Sequence, residues 1–266
     1  MHPWLLYSDT VQVATYPAVI VAAFIVCTVI LRREARRSGL AVRDVMDAAL
    51  TGILLGGVCA RLLHVFVEAP AIYAQDPLRA LSPFSGWTFY GGLLGGLAGV
   101  TLLSRYRGLP IWRMLDVFAI AVPLGQALAR LGCLAAGCCY GRPATWPLGT
   151  SVPWSVTLHD HGTIPEPLLA VPLHPAALYL SLMNLGLFVL LARWRAADPP
   201  DGRIFTVYLA LYAVGRGVLE VTRGDVARGL WFGGWVSTSQ LVSVGVLILT
   251  AVLWVRLSGP RREVIP

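Results

Sequence analysis

No lysine occurs in this chain of 266 residues; all 21 basic residues are arginine. Charge of either sign is scarce, with Asp, Glu, Lys and Arg making up 13% of the sequence, about half the share usual in soluble domains. Apolar residues reach 56% and the mean hydropathy is +0.68. That balance excludes an ordinary water-soluble domain and points to the bilayer. No second stretch of soluble composition is long enough to fold by itself, so a single integral membrane domain over 1–266 is expected.

Other absences narrow the function. Residues 1–16 lack the basic leader of a cleavable signal peptide, and no small-residue cleavage pattern follows, so the first apolar run is expected to be retained. The formal charge of +7 and a pI near 9.5 could suggest nucleic acid. No basic stripe with interleaved aromatics lies outside the apolar runs, however, so nucleic acid is not expected as a partner. No nucleotide loop, paired-aspartate metal site or Ser-His-Asp elbow is visible, and no cofactor is expected. The glycine-rich run near 90–99 fails as a dinucleotide fingerprint, which needs a strand before it. Five cysteines, an odd number at irregular spacing, argue against a disulfide framework.

What is present is a series of apolar runs of the length that crosses about 30 Å of hydrocarbon as helix. Seven are expected, near 14–31, 48–67, 88–104, 113–135, 173–192, 203–220 and 236–256. The third is weakened by Gly91, Gly92, Gly95, Gly96 and Gly99, and the fourth is expected to be interrupted at Pro123. Glycines at such spacing more often mark close helix packing than a site. Arginines of the flanking loops set the orientation. Fourteen (Arg32, Arg33, Arg36, Arg37, Arg43, Arg105, Arg107, Arg113, Arg193, Arg195, Arg203, Arg256, Arg261 and Arg262) fall in one set of alternate loops, against Arg79, Arg142, Arg223 and Arg228 in the other. The richer face is read as cytoplasmic and the amino terminus as outside. The segment 137–172 holds six prolines, which forbid continuous helix; it reads as an irregular external cap. The expected fold is an all-α membrane protein of about seven transmembrane helices with that cap between spans four and five.

Three arginines remain inside predicted spans: Arg61, Arg130 and Arg216. A charge there is costly unless it faces a polar cavity or a partner, which makes each a candidate site residue. The bland alternatives are snorkelling to the interface and internal pairing with an acid. Arg216, Glu220 and Arg223 are spaced to share one helical face, either as a self-neutralised ladder or as a device aiming a planar guanidinium at phosphate oxygens. Asp225 is a candidate anchor for it. Around Arg130 the chain reads Arg130-Leu131-Gly132-Cys133-Leu134-Ala135-Ala136-Gly137-Cys138-Cys139-Tyr140-Gly141-Arg142, an arginine entering a glycine-rich turn where backbone N–H groups can approach an anion. Cys133, Cys138 and Cys139 have three readings: metal ligands completed by His159, His161 or His174, a disulfide, or small apolar residues. His174-Pro175 with Tyr179 opens the fifth span, and His174 suits a general base near neutral pH as well as a capping role. His64 is equally ambiguous.

Together these residues resemble the prolipoprotein diacylglyceryl transferase family from 16 to 243. The Arg130-Leu131-Gly132 segment closing at Gly141 is similar to the family signature. Gly57 with Arg61-Leu62, Tyr90-Gly91-Gly92-Leu93, His174-Pro175 with Leu178-Tyr179, Arg216 with Glu220 and Arg223, and Ser237-Thr238-Ser239-Gln240 support it. The resemblance implies a bacterial inner-membrane enzyme that moves the diacylglyceryl group of phosphatidylglycerol to the lipobox cysteine thiol in a preprolipoprotein signal peptide. It implies catalytic roles for Arg130, Arg216, Tyr90, His174 and Glu220. It implies substrate contacts for Tyr16, Arg61, Gly91, Gly92, Cys133, Gly141, Arg223 and Ser239. The chain departs from the family pattern at three places. Tyr90 stands where the family usually has histidine, Cys133, Ala136 and Cys138 replace its asparagines and glutamate, and Ala177 and Leu180 replace Gln and Glu.

Overall fold

The computed structural model describes residues 4–7, 12–82, 86–136, 139–144, 171–224, 229–231 and 236–258. Cys138, His159, His161, Asp225, Arg228, Arg261, Arg262 and the body of the expected cap, 145–170, lie outside the described residues. Every predicted apolar run is helical. In chain order the helices are α1 (Thr15–Arg37), α2 (Val42–Leu63), the short α3 (Pro70–Gln75), α4 (Phe89–Tyr106), α5 (Ile111–Ala136), α6 (Ala176–Trp194), α7 (Arg203–Leu219) and α8 (Thr238–Ser258). Six of them are long and apolar enough to cross a membrane. The third expected span, α4, forms as a helix of 18 residues, but its five glycines dilute its apolar content and it falls short of the other six. Strands among the described residues are limited to two ribbons, β1 (Trp4–Tyr7) with β2 (Gln12–Ala14) and β3 (Leu230–Trp231) with β4 (Val236–Ser237). The protein is an all-α, multi-pass membrane protein.

Pro123 does not interrupt the fourth span. α5 runs through it, although proline lacks the N–H that would bond the carbonyl of Ala119. The surrounding turn is held on all sides, with Ala119, Ile120 and Ala121 buried, and membrane helices tolerate proline where neighbours support the freed backbone.

The described residues sort into two compact units. The first covers 28–118. Here α2 and α4 meet through facing rows of small residues, Gly52, Gly56 and Ala60 against Gly91, Gly95 and Gly99. A Cβ at Gly95 would stand 2.6 Å from the Leu55 carbonyl oxygen, and one at Gly99 2.8 Å from that of Thr51. Only glycine allows this backbone approach, so the glycine pattern is a packing device. One end is closed by Arg107, whose Nη1 lies 2.7 Å from both Asp44 Oδ1 and Asp47 Oδ2.

The second unit joins the residues before 28 to those from 119 onward. Ile120, Ala127, Leu180, Leu187, Leu191 and Ile204 form its core. Polar bonds pin its helices pairwise: Ser181 Oγ donates to the Ala127 carbonyl (2.9 Å) between α6 and α5, and the Tyr208 hydroxyl donates to Gln126 Oε1 (3.2 Å) between α7 and α5. α8 shows the opposite character on its outer side, where Val244, Ile248, Val252 and Val255 are exposed, as lipid contact requires.

Candidate functional site

The best-built polar position in the second unit surrounds Arg216. At the start of α8 the Ser237 backbone N–H donates to Gln240 Oε1 (2.9 Å), and the Gln240 N–H donates to Ser237 Oγ (3.2 Å). This reciprocal pair is a capping box, which satisfies two otherwise orphaned amides and fixes the first turn. Ser239 is thereby set so that its Oγ accepts from Arg216 Nη2 at 3.0 Å. Arg216 Nη1 donates to Glu220 Oε2 one turn further along α7. The Arg216 side chain is only 11% exposed and that of Glu220 2%. A buried pair of this kind holds its geometry firmly, because removing either member strands a charge.

Arg223 does not share that face. α7 ends at Leu219, and Glu220–Thr222 forms a tight 3₁₀ turn closed by Thr222 Oγ1 donating to the Leu219 carbonyl (2.7 Å). Arg223 is extended (φ −79°, ψ 141°) and pairs with Gly141. α-Helical spacing therefore stops applying at Leu219, four residues before Arg223.

That pairing is part of a brace of three segments that follow α5, precede α6 and follow α7. The Gly141 N–H donates to the His174 carbonyl (3.0 Å), the His174 N–H to the Arg142 carbonyl (3.0 Å), and the Arg142 N–H to the Thr222 carbonyl (2.9 Å). The two edges of the expected cap continue this pairing, with Ala144 N–H donating to the Pro172 carbonyl (2.9 Å). A Cβ on Gly141 would lie 2.7 Å from the Thr222 carbonyl oxygen and closer still to that of His174. Gly141 is required here by backbone packing.

Arg130 lies in α5, which continues to Ala136, so the glycine-rich turn starts later than the sequence suggested. Gly132 belongs to the helix, and a Cβ there would sit 3.3 Å from the ring of Tyr16 and from Val19 of α1. Tyr16 thus lies against α5 at Gly132 while remaining 40% exposed. The Arg130 guanidinium donates through Nη1 to Cys139 Sγ at 3.5 Å, a weak acceptor, and meets no carboxylate among the described residues. Cys139 holds a left-handed backbone (φ 58°). Cys133 is buried within α5.

His174 is half-buried at the brace, with Nδ1 3.4 Å from the Tyr179 hydroxyl. Burial, and then the positive charge of Arg142, push its pKa below the ordinary histidine value. It is therefore neutral near pH 7 and able to accept a proton.

The remaining candidates belong to the first unit. Arg61 closes α2 and donates to three carbonyls, those of Ala80 (3.0 Å), Gly86 (2.7 Å) and Arg79 (2.6 Å), while its guanidinium stands 5.3 Å from the Tyr73 ring centre. Its donors hold the chain between α3 and α4. His64 pairs with Glu68 (2.9 Å) in a π-helical turn that extends α2, and Gly86 packs on its ring. Tyr90 is half-buried in the first turn of α4, edge-on to Phe89. Gly91 is consumed by the contact with α2, where a Cβ would meet Ala60 Cα at 2.7 Å, whereas at Gly92 the nearest atom is 3.8 Å away.

Two features escaped the sequence reading. Cys139 was weighed as a metal ligand, half of a disulfide or filler, and not as a partner for Arg130. Gln126, four residues before Arg130, passed unnoticed, although a lone amide in an apolar run is the same kind of signal as a lone charge.

A family model described as prolipoprotein diacylglyceryl transferase matches residues 3–256. The phosphatidylglycerol–prolipoprotein diacylglyceryl transferase of Geobacter sulfurreducens is 31% identical over 258 residues, covering 94% of this chain and 92% of that protein. The enzyme of the same name from Geobacillus kaustophilus is 30% identical over 256 residues, covering 94% and 90%. That of Clostridium tetani is 27% identical over 252 residues, covering 94% and 95%. With nearly its whole length matched, the chain belongs to the prolipoprotein diacylglyceryl transferase family.

Proposed function

We propose that the protein transfers the diacylglyceryl group of phosphatidylglycerol to the thiol of the lipobox cysteine in a preprolipoprotein signal peptide, at the outer face of a bacterial inner membrane. The observation that carries this reading is Arg130: a guanidinium inside an apolar helix whose bond is to a thiol and which meets no carboxylate among the described residues. Arginine so placed suits a phosphate, which its planar fork matches in a bidentate way. Arg216, held by Glu220 and Ser239, supplies a second fixed cation.

The chemistry follows. The peptide thiol loses its proton, the thiolate attacks the glyceryl carbon that bears phosphate, a C–S bond forms and the C–O bond breaks. The electron pair leaves on glycerol phosphate. Fixed cations stabilise the charge gathering on that leaving group. His174 is the proton acceptor of this reading, because it is neutral near pH 7 and its Nε2 makes no hydrogen bond among the described residues; Glu220 is committed to Arg216. Tyr16 packs on α5 at Gly132, and Arg223 and Gly141 keep the brace closed. The arginine-rich loops lie in the cytoplasm and the amino terminus outside.

The test is stoichiometric. Purified protein with phosphatidylglycerol and a lipobox peptide releases one glycerol phosphate for each peptide that gains the diacylglyceryl mass. Release of glycerol phosphate without peptide adduct, with water as the acceptor, refutes the thiol-transfer reading.

A further inference from the structure

Gln126 sits in the middle of α5, in a helix apolar enough to cross a membrane. Its Oε1 accepts from the hydroxyl of Tyr208, a residue 6% exposed on α7. That bond fixes which way the amide points. Nε2, with two N–H donors, makes no hydrogen bond among the described residues, and the side chain is only half-buried. An amide nitrogen inside a membrane span is costly unless an acceptor reaches it.

The position of that donor says which acceptor fits. Gln126 precedes Arg130 by four residues on one face of α5, about 6 Å along the helix, toward the membrane interior. Tyr208 precedes Arg216 by two turns on α7. Both cations therefore lie on the same side of the Gln126–Tyr208 pair. Moving inward from its phosphate, a glycerophospholipid offers one kind of acceptor, the ester carbonyl joining each acyl chain to glycerol. A short covalent path separates that carbonyl from the phosphate oxygens, comparable to one helical turn.

We propose that Gln126 binds an acyl ester carbonyl of the donor lipid through Nε2, so that the protein selects diacyl over dialkyl donors. This rests on the function proposed above and names the part of the substrate that Gln126 reads. Tyr208 is a positioning residue that acts through Gln126 by holding its amide. Interhelical bonding alone would account for the Tyr208 contact, but not for an amide nitrogen left facing away from it.

The experiment compares dioleoyl phosphatidylglycerol with its di-ether analogue, which keeps the headgroup and lacks both carbonyls. Initial rates of adduct formation on a lipobox peptide are measured with the full-length protein, together with lipid retention by native mass spectrometry. One neutral hydrogen bond corresponds to about a five- to tenfold preference for the ester donor. Gln126→Met, of similar volume, brings that ratio to about one by slowing the ester reaction and leaving the ether reaction unchanged. Tyr208→Phe gives an intermediate ratio with KM raised and kcat held. A wild-type ratio near one, or equal slowing on both donors in Gln126→Met, overturns the proposal. Absence of adduct with an ester preference in lipid retention that Gln126→Met abolishes overturns the acceptor and supports Gln126. Absence of both overturns both readings.

Discussion

Gly141→Ala separates a backbone role from a substrate role. The added methyl would meet the carbonyl oxygens of His174 and Thr222, the latter at 2.7 Å, and backbone cannot swing aside as a side-chain tip can. Overpacking of this kind costs about 1–3 kcal/mol. The displaced strand also carries three bonds of the brace, each contributing about 0.5–1.5 kcal/mol. A combined loss of about 3 kcal/mol is well below the whole stability of a typical protein, about 5–15 kcal/mol, so α5, α6 and α7 persist while the brace opens. At 1.4 kcal/mol per tenfold, the ratio of closed to open brace falls about a hundredfold, and transfer slows as the closed form is lost. The assay is the rate of peptide adduct formation beside far-ultraviolet circular dichroism. Gly186→Ala is the control, since nothing lies within 4 Å of its added methyl and alanine favours helix. A Gly141→Ala protein with a rate within a factor of about two of wild type would refute the reasoning.

Three further outcomes follow from the same geometry. His174 has its pKa lowered by burial first and Arg142 second, so it stays neutral to a lower pH than free histidine; kcat/KM is level above that pKa and falls below it, on a limb lying under pH 6.5. Arg142→Gln removes the charge and moves that limb upward, which a pH–rate profile reads directly, and a downward movement contradicts the assignment. In the first unit, Gly95→Ala lowers the thermal midpoint, by about 1–3 kcal/mol of stability, whereas Gly92→Ala leaves it unchanged because its methyl has room; equal shifts would mean that α2 and α4 do not pack as described. Gln240→Ala opens the α8 capping box at a cost of about 1 kcal/mol and frees Ser239, raising KM for phosphatidylglycerol more than it changes kcat.

The helices were legible because crossing a bilayer demands long apolar runs, and that constraint is written in composition. Arg216 and Glu220 were legible as a pair because spacing of four holds inside a helix. Arg223 was not, since the helix ends where Thr222 turns its hydroxyl onto the Leu219 carbonyl and its own carbonyl accepts from Arg142, a residue eighty positions earlier. Long-range capture of this kind leaves no local mark. Pro123 was over-read for a related reason, because support from neighbouring helices offsets one missing bond. Arg61 looks like Arg130 in sequence, yet its donors are engaged by three carbonyls supplied by a loop whose path no spacing reveals. The glycines of the signature divided likewise: Gly132 serves helix approach to Tyr16, and Gly141 serves the brace.

The central claim is that Arg130 and Arg216 act on the phosphate of a lipid donor during transfer to a thiol. The most direct measurement follows the mass of a lipobox peptide incubated with phosphatidylglycerol and wild-type, Arg130→Ala or Arg216→Ala protein. The account predicts a diacylglyceryl adduct with wild type and none with either variant, while helicity is retained. Adduct formation at the wild-type rate by either folded variant would contradict it.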